Sequence, residues 1–195
     1  MVENSYFEDR LFEGVRLEGE TLAGGTFADC TFVGCAAENG RLLGCTFSGC
    51  RFEGCRVTNL RSEGSELRGS DWTGSSLVGV NWGELLPGGR FAEPIGSLKD
   101  CQLKYNTFTG MSLRRFDFSS CALLRSTFGE CDLFESRFFG CRLEGTEFFK
   151  CDLRGADFRE ATGYEIDVLT SRMKGARFSF PEAVNLLHSL EVTVE

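Results

Sequence analysis

A large apolar residue recurs at every fifth position through nearly the whole chain. From Cys131 to Glu160 the sequence reads CDLFE SRFFG CRLEG TEFFK CDLRG ADFRE, with Leu133, Phe138, Leu143, Phe148, Leu153 and Phe158 third in each five. This period is neither that of a helix nor that of an ordinary strand. A sequence that repeats itself at a fixed interval builds a repeat architecture, in which each unit buries its apolar face by stacking on the next. Such a chain works as a shape and leaves little room for an enzyme.

The apolar centres keep one register from Phe7 to Trp82 and a second, shifted by one, from Leu98 to Phe158. Val168, Met173 and Phe178 continue the series, and Gly163 breaks it. A small residue stands two positions before most centres, so the two alternate inward across one short strand. Glycine follows two positions after many centres, as at Gly14, Gly34, Gly54 and Gly74. A corner that needs positive φ, as in a type II turn, favours it there. Each five is therefore a minimal strand and a corner, and four corners close a square coil of about twenty residues whose neighbours stack about 4.8 Å apart as parallel strands. Phe118, Phe138, Phe158 and Phe178 fall on one ladder, and Phe108, Phe128 and Phe148 on the opposite one. With right-handed crossovers, the expected fold is an all-β, right-handed quadrilateral β-helix.

Composition narrows the chemistry. The formal net charge is −8 over 195 residues. With no long apolar run and no cleavable leader pattern, a cytoplasmic protein away from membranes is expected. All ten cysteines, from Cys30 to Cys151, occupy the small inward position. There they act as small hydrophobes, reduced in the cytosol, and none forms a CxxC zinc pattern. His188 is the only histidine, so neither a metal cluster nor a catalytic triad is expected. The expectation is a protein without metal or cofactor, and not an enzyme.

Two interruptions divide the chain into a repeat block at 1–82, an irregular segment at 83–97, a second block at 98–179 and a terminal segment at 180–195. The irregular segment, GELLPGGRFAEPIGS, carries turn-forming Pro and Gly beside Glu84, Leu85, Leu86, Pro87, Arg90, Phe91, Glu93 and Ile95. It reads equally as a joint whose apolar side chains fold back and as a projecting contact loop. The terminal segment reads as a short capping α-helix, with Ser179 as N-cap, Glu182 three residues on and Pro181 in the first turn. A final strand, 191–195, follows it. Outward aromatic residues at Phe134, Phe139, Phe149 and Tyr164 suggest an interface near this end. The expected assembly is a two-fold homodimer using Phe149, Tyr164, Val184, Leu187, Leu190, Val192 and Val194. The acidic start, with Glu8, Asp9, Glu13 and Glu18, is a second candidate contact surface.

The five-residue spacing resembles the pentapeptide-repeat family over roughly residues 5–180. The tail, GYEIDVLTSRMKGARFSFPEAVNLLHSLEV, and Gly79-Val80-Asn81-Trp82 resemble its topoisomerase-protecting members, the Qnr-like and albicidin-resistance group. The resemblance implies a C-terminally joined homodimer that binds DNA gyrase, and often topoisomerase IV as well. It implies protection from an albicidin- or quinolone-like poison, by DNA mimicry or by a loop that releases the drug-trapped complex. It implies no direct binding of nucleic acid. The alternative is a non-catalytic scaffold solenoid with an unrelated partner. About eight coils would span about 40 Å, a length over which duplex DNA carries on the order of 24 charges. Mimicry by this chain would therefore be mainly one of shape.

Overall fold

The computed structural model describes residues 5–86, 93–190 and 192. It is an all-β parallel solenoid in two compact units, Met1–Gln102 and Leu103–Glu195. In the first unit the strands are three or four residues long until Ile95–Lys99, and four of them make a coil. The first coil is Tyr6–Glu8, Leu11–Glu13, Arg16–Glu18 and Thr21–Ala23. Its centres pair in parallel with those twenty residues on: Phe7 with Phe27, Phe12 with Phe32, Leu17 with Ala37 and Leu22 with Leu42. Each strand is too short to stand alone, and coil-to-coil hydrogen bonds hold it, as where Thr26 N donates to Ser5 O at 2.9 Å.

The corners hold the left-handed conformation that the glycines forecast. The same position is also filled by Asp9, Asn39, Tyr105, Arg115, Arg125, Glu135 and Lys150, each with φ between 48° and 57°. An L-residue is disfavoured there by roughly 1–2 kcal/mol. The next coil offsets that cost: Arg115 N donates to Phe134 O at 2.8 Å and Glu135 N to Arg154 O at 2.9 Å. In the second unit, the walls centred on Leu133 and Leu153 differ from the expected strands. Their corners close as turns in which Ser136 N donates to Leu133 O and Ala156 N to Leu153 O, both at 3.1 Å. Only isolated parallel bridges remain on that wall, such as Asp132 with Asp152.

The two cores are built differently. In the second unit Phe118, Phe138, Phe158 and Phe178 stack along one wall at 4.7–5.3 Å between ring centroids. Phe108, Phe128 and Phe148 stack on the wall facing it at 4.4 and 4.8 Å. The two walls meet edge to face across the core, Phe138 against Phe148 at 5.3 Å. In the first unit the aromatic walls are neighbours: Phe7, Phe27 and Phe47 on one, Phe12, Phe32, Phe52 and Trp72 on the next.

All ten cysteines are free thiols, nine of them buried and Cys35 partly so. They do more than fill space. Cys30, Cys50, Cys131 and Cys141 each donate to the carbonyl of the centre 23 residues earlier, Phe7, Phe27, Phe108 and Phe118. Ser75 and Thr146 use hydroxyls in the same way, toward Phe52 O and Leu123 O. The small inward position is thus a polar stitch between coils, which the hydrophobic reading of cysteine missed.

Candidate interaction surfaces

The irregular segment lies within the first unit, and its described residues take different places. Trp82–Leu85 forms a 3-10 turn. Asn81 holds it, accepting from Gly83 N at 3.2 Å and donating to Glu84 Oε1 at 2.9 Å. Leu85 is only 3 % exposed and Ile95 likewise, because both side chains close the core where the coil is interrupted. Neither is presented to a partner, which corrects their assignment as contact residues. Leu86 is partly buried, and Glu84 and Glu93 are exposed. Pro87, Arg90 and Phe91 lie outside the described residues.

The chain then rejoins the ladder. Gly69 N donates to Glu93 O at 2.9 Å, and Ser70 donates to Pro94 O through both its N and its Oγ. Ser70 Oγ also accepts from the Trp72 indole at 3.0 Å. Pairing starts at Ser70 with Ile95 and then slips, so that Asp71 meets Ser97 and Trp72 meets Leu98. The bulge falls at Gly96, where a Cβ would lie 2.9 Å from Asp71 Oδ1. Ser97 Oγ donates to that same oxygen at 2.7 Å. This bulge is the physical form of the one-residue shift in the sequence period.

The acidic start occupies the first coil. Glu8, Asp9, Glu13 and Glu18 are all exposed. The Arg16–Glu18 pair, at 3.8 Å with both side chains well exposed, neutralises little of this charge. Residues 1–102 contain fifteen acidic and nine basic side chains, so the first unit carries most of the net charge.

The C-terminal end of the second unit departs most from the repeat. Arg142–Phe149 runs as one eight-residue strand and pairs with Thr162–Ile166. The register shifts between Arg142, opposite Thr162, and Thr146, opposite Tyr164. Gly163 stands at the shift with φ 72°, where a Cβ would lie 2.7 Å from Glu144 Cα. The break in the sequence period is therefore a shortened corner, and it turns Tyr164 inward. Tyr164 is 1 % exposed, packed on Phe158 and Phe178 at 5.5 and 5.7 Å. Its expected outward orientation is thus corrected. Burial pushes the phenol up to about 12, and its hydroxyl has no hydrogen-bond partner among the described residues.

Of the other outward aromatics, Phe134 and Phe139 are partly buried and Phe149 is exposed. Arg114 and Arg154 place their guanidinium carbons 4.5 and 5.5 Å from the Phe134 ring centre, and Arg159 stands 5.8 Å from that of Phe139. Phe149 rests against Gly129, whose missing side chain makes room for the ring. Asp157, on the same unit, is buried between Arg159 and Arg177 at 2.8 and 3.2 Å. The Arg159 hydrogen bond foremost holds its carboxyl below the usual range. It is a buried structural carboxylate.

The terminal helix, Glu182–Leu190, is 3-10 in form, where an α-helix was expected. The reason lies in its polar side chains, which serve the solenoid edge before the helix. Ser179 Oγ accepts from Glu160 N at 2.8 Å, Glu182 Oε2 from Gly163 N at 3.1 Å, and Ser189 Oγ from Val168 N at 3.3 Å. The forecast capping box thus becomes a set of clamps on backbone donors that no further coil would satisfy. A cleft of about 590 Å³ lies beside it, lined by Glu144, Glu147, Glu165, Asp167, Phe149 and His188 among others. Covering of the core by the described residues is incomplete. Val184, Leu187, Met173 and Phe178 are partly buried, while Leu169 and Phe180 are 73 % and 84 % exposed, and Leu190 and Val192 are also exposed. Val194 lies outside the described residues.

Among the described residues, no group of three or more His, Cys, Asp or Glu side chains is placed to hold a metal ion. No helix among them is long and apolar enough to cross a membrane.

The model of the pentapeptide repeat region matches residues 111–186. No curated protein matches the sequence. Among solved structures, a trypsin-treated variant of QnrB1, a plasmid-mediated fluoroquinolone resistance protein, is 19 % identical, with 97 % of this chain and 98 % of that one covered and a TM-score of 0.44. HetL, a pentapeptide-repeat protein involved in heterocyst differentiation regulation in the cyanobacterium Nostoc, is 15 % identical over 87 % of this chain and 85 % of its own, with a TM-score of 0.48. A pentapeptide-repeat protein of the Arabidopsis thaliana thylakoid lumen is 33 % identical over 40 % of this chain and 58 % of its own, with a TM-score of 0.36.

Proposed function

We propose that this chain, a β-solenoid of the pentapeptide-repeat fold with that family's repeat region at residues 111–186, is a non-catalytic binding protein that protects a bacterial type II topoisomerase from a poison. DNA gyrase is the first partner, topoisomerase IV a second, and the poison is albicidin- or quinolone-like. The observation that carries this reading is the C-terminal tail. Its residues resemble the topoisomerase-protecting group, and they build an end with exposed Phe180, Leu190 and Val192. An apolar end of this kind suits a cytoplasmic homodimer joined two-fold there. Excess acidity on the first unit suits approach to a basic DNA-binding saddle, with the solenoid coils standing in for duplex DNA.

The test is gyrase supercoiling in the presence of a poison, with and without the protein. Restored supercoiling supports the proposal, and no restoration with any poison or either enzyme refutes it. The second reading is an interaction solenoid with an unrelated partner. It is favoured by the burial of Leu85 and Ile95, which removes two apolar contacts from the proposed loop.

A further inference from the structure

The first unit holds an apolar cavity of about 140 Å³ that opens toward the first coil. Its origin is legible in the ladders. Opposite the wall of Phe7, Phe27 and Phe47 runs Leu17, Ala37, Val57 and Leu77. Opposite Phe12, Phe32, Phe52 and Trp72 runs Leu22, Leu42 and Ser62. In the second unit facing aromatic walls meet edge to face and fill the centre. In the first, the aromatic rings face walls that shrink to Ala37, Val57 and Ser62 in the middle coils. Leu60 stands at the usual small position beside Ser62, so large and small have changed places there.

The lining is almost wholly carbon and runs from Val15, Leu17 and Leu22 in the first coil past Leu42, Val57 and Trp72 to Leu85. Its polar atoms are already engaged. Cys35 Sγ donates to Phe12 O at 3.4 Å, and the Trp72 indole N donates to Ser70 Oγ. A cavity of this kind does not suit water, which needs two or more polar partners. Apolar cavities of about 150 Å³ stay dry and take up benzene or xenon. Val15 is exposed, and Leu17 and Leu22 are only partly buried, so the lining reaches the surface at the first coil.

We propose that this cavity is a binding site for a small neutral hydrocarbon group, a single aromatic ring or a short alkyl chain, held by shape and burial without hydrogen bonds. This site is independent of any topoisomerase.

The experiment uses the full-length protein and two probes. Iodobenzene, whose heavy atom quenches indole emission, should quench Trp72 fluorescence saturably. Val57→Phe, which puts a ring into the void, should raise the half-saturation about tenfold or more while leaving the circular dichroism unchanged. Xenon under pressure should shift the methyl resonances of Val57, Leu42 and Leu67, which also lines the cavity, in the wild type and leave those of Leu133 and Leu153 in place. The xenon arm needs no variant, so it decides the matter if Val57→Phe does not fold. Linear, unsaturable quenching, quenching equal in a folded Val57→Phe, or xenon shifts absent from the three methyls would each overturn the proposal.

Discussion

At the scale of the residue, the inward positions carry the fold, and two predictions separate them from the rest. Phe138 is fully buried between Phe118 and Phe158 in its own stack and touches Phe128 and Phe148 across the core. Phe138→Ala should cost about 3–5 kcal/mol. Arg125 points outward from a corner, and Arg125→Ala should cost under about 0.5 kcal/mol. Equal shifts in denaturant midpoint for the two would mean that the inward phase is wrongly assigned. The thiols give an alkaline test. Burial pushes Cys50 and Cys55 up to about 11 and Cys141 to about 12. An unfolded chain loses these protons from about pH 8.5, while the folded chain keeps them. The unfolded state then binds fewer protons, and stability falls as pH rises through that window. The Tm should therefore drop between pH 8.5 and 10.5. A variant with serine at these three positions, a residue the fold already uses at Ser75, should show a flatter profile. A wild-type Tm that rises over this range would sink the argument.

At the scale of the element, the repeat was legible because one residue in five must be large and inward, which period-two pleating makes visible. The corners were legible where glycine stood at them and hidden where Arg115, Glu135 or Lys150 took positive φ, because there the next coil holds the conformation, through a carbonyl at Arg115 and Glu135 and through the Thr170 hydroxyl at Lys150. The irregular segment showed in the sequence as lost register, but which of its apolar residues turned inward depended on the bulge at Gly96. Tyr164 was misread for a similar reason, since a register shift opposite Arg142–Thr146 reverses inside and outside. The terminal helix was visible in its apolar spacing, while its 3-10 form was not, because Ser179 and Glu182 serve the preceding coil. That helix also carries the test of assembly. Leu190 is exposed on its last turn, so Leu190→Asp leaves the core intact. Light scattering should read a monomer in place of a dimer, with the circular dichroism unchanged. A dimer that persists would place the interface away from this end.

At the scale of the whole molecule, function turns on whether the charged surface or the interrupted coil does the work, and each can be altered alone. Replacing all of 83–97 would remove Leu85 and Ile95 from the core, and a loss of activity would then report only unfolding. The change must be confined to residues 87–92, replaced by glycines. If the loop releases the drug-trapped complex, this variant should keep its Tm within a few degrees and lose most of its rescue of poisoned gyrase. Reversing Glu8, Glu13 and Glu18 to lysine tests the other mechanism. These side chains are exposed, and their attraction is screened within about 8–10 Å at physiological salt. Steering should therefore weaken at low salt and converge with the wild type at high salt. Rescue lost by the glycine variant alone, with a salt-independent defect, assigns the mechanism to the loop. Rescue weakened by the charge reversal alone, at low salt and converging with the wild type at high salt, assigns it to the acidic surface of the first unit. Full rescue by both variants would exclude both surfaces and move the contact to the Arg-covered faces around Phe134 and Phe139.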